Sequence, residues 1–126
     1  MLGLGRIHTK LGEHKEASKC FQQALENMSS FPPAVVADTK IYLAFSQYKA
    51  GDETAIERLK EALVDLESAD HDSYEKNVWV SGAYMRLAEL LNSKEYLAKA
   101  KEIIDGDKRL TIRLKQWTEL SQNLSK

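Results

Sequence analysis

The chain has 126 residues, 43% of them hydrophobic and 29% charged, and its formal net charge is −1. It is long enough for one compact domain or a short repeat array, and its balanced charge excludes a generic binder of nucleic acid or anionic membranes. The single cysteine, Cys20, excludes an internal disulfide. Its apolar runs are too short for a membrane span or a signal peptide, so we expect an intracellular protein, cytoplasmic or nuclear.

Helix-forming residues dominate the sequence, because Ala, Leu, Glu, Lys and Gln are frequent and alternating runs of Val, Ile and Thr are absent. The fold class is therefore predicted to be all-α. Apolar residues that recur at helical spacing predict seven helices, which cover approximately residues 1–11, 14–28, 34–50, 53–68, 73–91, 94–105 and 108–123.

Short breaks separate these helices. In chain order they are Gly12, Pro32-Pro33, Gly51, the polar loop 69–73, Asn92-Ser93 and Gly106. Asp72 or Ser73 is the candidate N-cap of the fifth helix, and Ser93 is that of the sixth. The turns within the first, second and third pairs of helices are short, which predicts three antiparallel hairpins.

A pattern of small and large residues recurs in the second helix of each hairpin. The pattern is a small residue, a large apolar residue four positions later and a second small residue three positions after that. The residues that match it are Ala17, Phe21 and Ala24, then Ala55, Leu59 and Ala62, and, without the third place, Ala100 and Ile104. Each first helix carries a leucine and a small residue at nearly the same distance before the first small residue of its second helix. These pairs are Leu4-Gly5, Leu43-Ala44 and Leu87-Ala88. This two-sided match indicates an internal repeat.

The repeat has a physical reason in helix packing. Two helices of a hairpin approach closely only where the side chains between them are small, which predicts close contact of Gly5 with Ala17 and of its equivalents in the other hairpins. The large residue, Phe21 in the first hairpin, is predicted to fill the space between one hairpin and the next. A lone hairpin cannot bury its apolar face, so such units stack.

The first hairpin resembles the tetratricopeptide repeat, whose pattern is W-x2-L-G-x2-Y followed by A-x3-F. The residues that match this spacing in the first hairpin are Met1, Leu4, Gly5 and His8, and then Ala17 and Phe21. The other two hairpins match the spacing more loosely. The matching residues are Lys40, Leu43, Ala44, Gln47, Ala55 and Leu59 in the second hairpin, and Tyr84, Leu87, Ala88, Leu91, Ala100 and Ile104 in the third. The resemblance covers about residues 1–107.

The resemblance implies one repeat domain over residues 1–126, a right-handed superhelical stack of hairpins with units at about 1–31, 34–69 and 73–107. The units are spaced more widely than the family's period of about 34 residues, so the array is irregular, and we expect it to be a fragment of a longer one. The last helix, at about 108–124, is predicted to cap the stack through an apolar stripe of Leu110, Leu114, Trp117, Ser121 and Leu124.

Members of this family hold a peptide or a helix of a partner protein in a concave groove lined by the first helices. The resemblance therefore implies a protein–protein interaction scaffold within a larger multiprotein assembly. The groove positions that we assign to partner binding are Arg6, Lys10, Phe45, Tyr48, Lys49, Met85 and Glu89, and Gly82 is a further groove position. A second hypothesis is a regulatory sensor domain whose groove binds a signalling peptide.

The chemistry of these groove positions is mixed. Phe45, Tyr48 and Met85 are the expected anchors, whereas Arg6 and the two lysines are expected to attract an acidic segment. The alternative is that Phe45 and Met85 pack against neighbouring helices of the chain itself.

No residue pattern indicates catalysis. The histidines do not share a helix at metal-binding spacing, and neither C-x-x-C nor H-E-x-x-H occurs. Gly3 and Gly5 fall in a helix rather than after a strand, so they do not form a phosphate loop. Cys20 is expected to be a small buried residue. We therefore expect no enzyme activity, no cofactor, no metal, and no nucleic-acid or membrane partner.

Overall fold

A computed structural model describes residues 2–124 and shows seven α-helices and no strand in that range. They are α1 (Leu2–Lys10), α2 (His14–Glu26), α3 (Pro33–Lys49), α4 (Ala55–Ser68), α5 (Ser73–Leu91), α6 (Lys94–Asp105) and α7 (Thr111–Leu124). The predicted all-α class is confirmed, and every helix lies within one turn of its predicted position. Met1, the first position of the repeat pattern, lies outside the described residues.

The helix starts follow the local signals in the sequence. Pro32 stands at the N-cap of α3 and Pro33 at its first position, where a missing backbone N–H costs no hydrogen bond. A side-chain oxygen of Asp72 accepts a hydrogen bond from the backbone N–H of Glu75 at 3.0 Å, so Asp72 rather than Ser73 caps α5. The hydroxyl of Ser93 accepts from the N–H of Tyr96 at 3.3 Å and caps α6.

Left-handed residues reverse the chain within each hairpin. Gly12 has φ +77°, Gly51 has φ +115°, and Asn92 has φ 49°. Glycine adopts this region without strain, and asparagine tolerates it better than most other residues. The sequence therefore contains a suitable residue at each of the three reversals.

The structure divides into two compact units, Met1–Ala69 and Asp70–Lys126. The boundary falls in the loop before α5, where the sequence predicts the break between the second and third hairpins. The first unit contains α1 to α4, in which α2 contacts both α1 and α3, and α3 contacts α4. The second unit contains α5, α6 and α7. A single continuous superhelical stack of the hairpins stays a prediction.

Phe21 fills the space that Gly5 leaves in the first hairpin. A Cβ atom at Gly5 would lie only 2.8 Å from Cε1 of the Phe21 ring. The same ring stacks on Tyr42 of α3, with the ring centroids 5.3 Å apart. Phe21 therefore lies between the first hairpin and the next one, as the repeat pattern predicts.

The small residues of the repeat are buried in all three hairpins. Ala17, Ala55 and Ala100 are each 0% exposed, and their predicted neighbours in the first helices are buried as well, namely Gly5, Ala44 and Ala88. A larger side chain at any of these positions would push two helices apart. Cys20 is also buried, as expected for a small core residue.

The last helix, α7, packs against both α5 and α6. The indole N–H of Trp117 donates to the carbonyl of Leu97 at 2.8 Å, and Nη2 of Arg113 donates to the carbonyl of Val78 at 2.9 Å. Leu110 is buried as predicted, but Leu114 is 40% exposed. The predicted stripe is wrong at Leu114, because the hydrogen bonds of Arg113 and Trp117 orient α7 with Arg113 toward α5.

A buried carboxylate connects the start of α5 to the segment between α6 and α7. Asp107 accepts hydrogen bonds from Nε and Nη2 of Arg109 at 2.8 and 2.7 Å, and from the side-chain amide of Asn77 at 3.1 Å. The hydrogen bonds from Arg109, with the one from Asn77, hold the pKa of Asp107 well below its ordinary value of 3.8. This carboxylate therefore stays charged in the folded chain.

Asp107→Asn is expected to destabilise the second unit near neutral pH and to do so less in acid. The pKa of Asp107 is lower in the folded than in the unfolded chain, so its contribution is fully present above pH 3.8 and decreases as the pH falls below that value. Denaturant unfolding at about pH 7 and about pH 3 measures the difference between wild type and variant. Asp105→Asn is the control, since Asp105 pairs with Lys101 at the surface. A difference that stays constant across this range would contradict the assignment.

None of the helices within residues 2–124 combines the length and the apolar character that crossing a membrane requires.

Candidate functional site

The predicted groove residues all lie on the first helices of the hairpins. Five of them belong to the unit Met1–Ala69 and two to the unit Asp70–Lys126. The exposed members are Arg6, Lys10, Lys49 and Glu89, Tyr48 is half-buried, and Phe45 and Met85 are buried. The polar members are thus at the surface, while two of the three expected anchors are not.

Arg6 of α1 lies against α3. Its Nη2 atom is 3.9 Å from Oδ2 of Asp38, and its Cζ atom is 5.3 Å from the centroid of the Tyr42 ring. The Asp38 side chain is only 6% exposed, so this carboxylate is removed from most of the solvent. Arg6 therefore compensates a buried negative charge and still presents part of its guanidinium to solvent.

Tyr42 is a surface residue of this site that the repeat pattern does not assign to partner binding. It is half-buried between the Phe21 ring and the guanidinium of Arg6. The sequence spacing could have indicated its position, because Tyr42 lies one helical turn after Asp38 and therefore on the same side of α3.

Phe45 belongs to the core of the first unit. Its ring is in edge contact with His14, with centroids 6.3 Å apart, and Nζ of Lys49 lies 5.7 Å from its centroid. Its side chain is 6% exposed, so Phe45 packs against its own chain, which is the alternative that the sequence left open for this residue. Burial of the Phe45 ring is favourable because its apolar surface is removed from water. The ammonium group of Lys49 adds a cation–π contact with the ring.

A cleft of about 330 Å³ lies between α5 and α7 in the second unit. The predicted groove positions Gly82, Met85 and Glu89 line it from α5, and Arg113 and Glu119 line it from α7. Met85 is buried and forms part of the cleft wall, and its role as an anchor for a partner stays a prediction. The charged lining consists of one arginine and one glutamate from each helix, Arg86 and Glu89 from α5 and Arg113 and Glu119 from α7.

Gly82 allows the close approach of Arg113 to α5. A Cβ atom at Gly82 would lie 3.1 Å from Nη2 of Arg113, which is tighter than ordinary side-chain contact. The contribution of Arg113 was not predicted, because α7 was assigned to an apolar cap. Within the described part of the chain, His, Cys, Asp and Glu residues form no group of three that could hold a metal ion.

Comparison with known proteins gives one match. Residues 1–27 match the family model described as tetratricopeptide repeat, and this range covers α1 and α2. No curated protein and no solved structure matches the chain. Repeats of this family generally mediate protein–protein interactions and are not catalytic. The family match and the series of helical hairpins together support a tetratricopeptide-like repeat protein.

Proposed function

We propose that the chain is a protein–protein interaction scaffold that binds a peptide or helix of a partner protein along its first helices. The observation that carries the proposal is the surface position of the charged groove residues on α1, α3 and α5. Their side chains are exposed, whereas the small residues of the same helices are buried in the hairpin contacts. The first helices therefore separate a packing side from a side available to a partner.

The first unit favours an acidic partner segment. Arg6, Lys10 and Lys49 all expose cationic groups on α1 and α3, and the half-buried Tyr48 adds an aromatic surface close to Lys49 in the sequence. The neighbouring acidic residue, Asp38, is buried and lies within ion-pair distance of Arg6. Exposed cations increase the rate of encounter with an acidic segment, and half-buried aromatic rings supply apolar contact area.

The charge-reversal variant Lys10→Glu/Lys49→Glu is expected to weaken the binding of acidic peptides at least about tenfold, because an attraction becomes a repulsion at two positions. The probe is a displayed library of short random peptides, from which binders of the wild-type chain are selected and then synthesised. Their affinity is measured by fluorescence anisotropy at low and at physiological salt, since screening weakens exposed charge pairs.

Lys15→Glu/Lys19→Glu is the matched control. Both lysines are exposed on α2, a second helix, and the substitution changes the net charge by the same amount. We expect this control to keep most of the affinity for acidic peptides. Selection of peptides without acidic residues, or equal losses in the two variants, would reject binding of an acidic segment along the first helices.

A further inference from the structure

A second cleft lies in the unit Met1–Ala69 and involves the second helices. It runs between α2 and α4, and α3 forms its floor because α3 contacts both of them. Its volume is about 320 Å³, and Leu25, Leu43 and Ala62 give it apolar lining from all three helices. None of the groove residues assigned above lines this cleft.

A neighbouring cavity extends this cleft along α3. It has a volume of about 460 Å³ and is lined by Phe31, Val36 and Ala37, among others. Lys40 and Asp65 line both cavities, so the two adjoin each other at these side chains. Phe31 is 45% exposed, which leaves an aromatic surface at one end of this elongated α2–α4 cleft.

The wall formed by α4 carries two carboxylates that the chain does not neutralise. Glu61 and Asp65 are exposed one turn apart, and neither forms an ion pair with any described residue. Two like charges at this spacing disfavour the helix slightly. A cation placed between them would remove that repulsion.

The positive charges of the cleft compensate this acidic wall only in part. Arg58 is engaged by Asp52, whose Oδ2 atom lies 2.7 Å from its Nη2 atom, and by the side chain of Gln47 at 3.0 Å. Lys40 contributes one positive charge on the floor, against the two negative charges of Glu61 and Asp65. The cleft therefore combines apolar lining with an excess of negative charge.

We infer that the α2–α4 cleft binds a basic segment of a partner protein. An apolar side chain of this segment packs beside Phe31 and Val36, and a lysine or arginine lies between Glu61 and Asp65. Val36 and Leu43 lie seven positions apart, which corresponds to about 10 Å along α3 and is covered by about three residues of an extended segment. The recognised pattern is therefore an apolar residue and a basic residue about three positions apart, in either order.

The test uses the displayed peptide library with the intact chain as the target. Selected peptides that carry this apolar and basic pair are expected to bind Glu61→Gln/Asp65→Asn about tenfold more weakly than wild type, because two charge-assisted contacts are lost. The matched control is Glu53→Gln/Glu57→Gln, which removes two exposed carboxylates near the start of α4 and outside the cleft. We expect it to retain wild-type affinity. Far-UV circular dichroism checks that all variants are folded.

Several outcomes would overturn the inference. One is the absence of basic peptides from the selection, and another is equal binding to wild type and to the Glu61/Asp65 variant. Self-association that this variant abolishes, seen by sedimentation, would identify a second copy of the chain as the occupant instead. The inference is independent of the first-helix proposal, since Lys10→Glu/Lys49→Glu is expected to leave the affinity for basic peptides undiminished.

Discussion

Phe21→Ala is expected to lower the free energy of unfolding by about 3–5 kcal/mol, the usual cost of truncating a fully buried phenylalanine. The Phe21 side chain is 0% exposed and fills the space between Gly5 and the ring of Tyr42. Alanine would leave a cavity at this position, because neither α1 nor α3 can close the gap without losing its other contacts. Denaturant unfolding followed by far-UV circular dichroism measures the loss.

Phe31→Ala is the matched control for this substitution. Phe31 is 45% exposed in the connection before α3, so its truncation should cost about 1 kcal/mol or less. Equal losses for the two phenylalanines would mean that Phe21 does not hold the first hairpin against α3. The comparison uses the same chemical change at two sites that differ in burial.

Replacing the buried alanines of the repeat by leucine is expected to cost about 1–3 kcal/mol in each hairpin through overpacking. The three variants are Ala17→Leu, Ala55→Leu and Ala100→Leu, and each of these alanines is 0% exposed. Because the added side chain has no space, the two helices must separate or the leucine must adopt a strained rotamer. Thermal and denaturant unfolding of each variant give the size of the loss.

Ala98→Leu provides the control for helix propensity and for added apolar surface. Ala98 is exposed on α6, the same helix as Ala100. Leucine is nearly as good a helix former as alanine, so this variant should unfold close to wild type. If Ala17→Leu left the melting temperature unchanged, the predicted register of the first hairpin would be contradicted.

The helices were predictable because their limits depend on local chemistry. Pro33 and Gly51 act through their own backbone geometry, and Asp72 and Ser93 cap helices through side chains that reach only one turn ahead. The buried small residues were predictable for a related reason, since the repeat places the same packing requirement in each hairpin. Neither the limits of the helices nor the burial of the small residues required knowledge of contacts between residues far apart in the sequence.

The candidate site was predictable only in part. A lysine such as Lys10 keeps its ammonium group in solvent on almost any face of a helix, so its exposure follows from residue type. The burial of Phe45 and the exposure of Leu114 depend on the rotation of a helix against its neighbours. For α7 that rotation follows hydrogen bonds from Arg113 and Trp117 to carbonyls of other helices, which no periodicity in α7 encodes.

The α2–α4 cleft also depends on how the helices are placed against one another, so the sequence did not predict it. Its lining residues come from three helices, and its existence depends on the distance at which α2 and α4 lie on either side of α3. Sequence periodicity assigns Leu43 and Ala62 to packing positions without indicating that a cavity remains beside them. A cleft between helices is a property of their spacing, which the lengths of the side chains at several contacts decide together.

The division of the chain between α4 and α5 also determines which spectroscopic signal reports on which part of the molecule. Both tryptophans of the chain, Trp79 and Trp117, lie in the unit Asp70–Lys126. Tryptophan emission therefore follows this unit, whereas far-UV ellipticity follows the helices of both. Coincident transitions of the two signals would mark cooperative unfolding of the whole chain, and separate transitions would give each unit its own stability without any label.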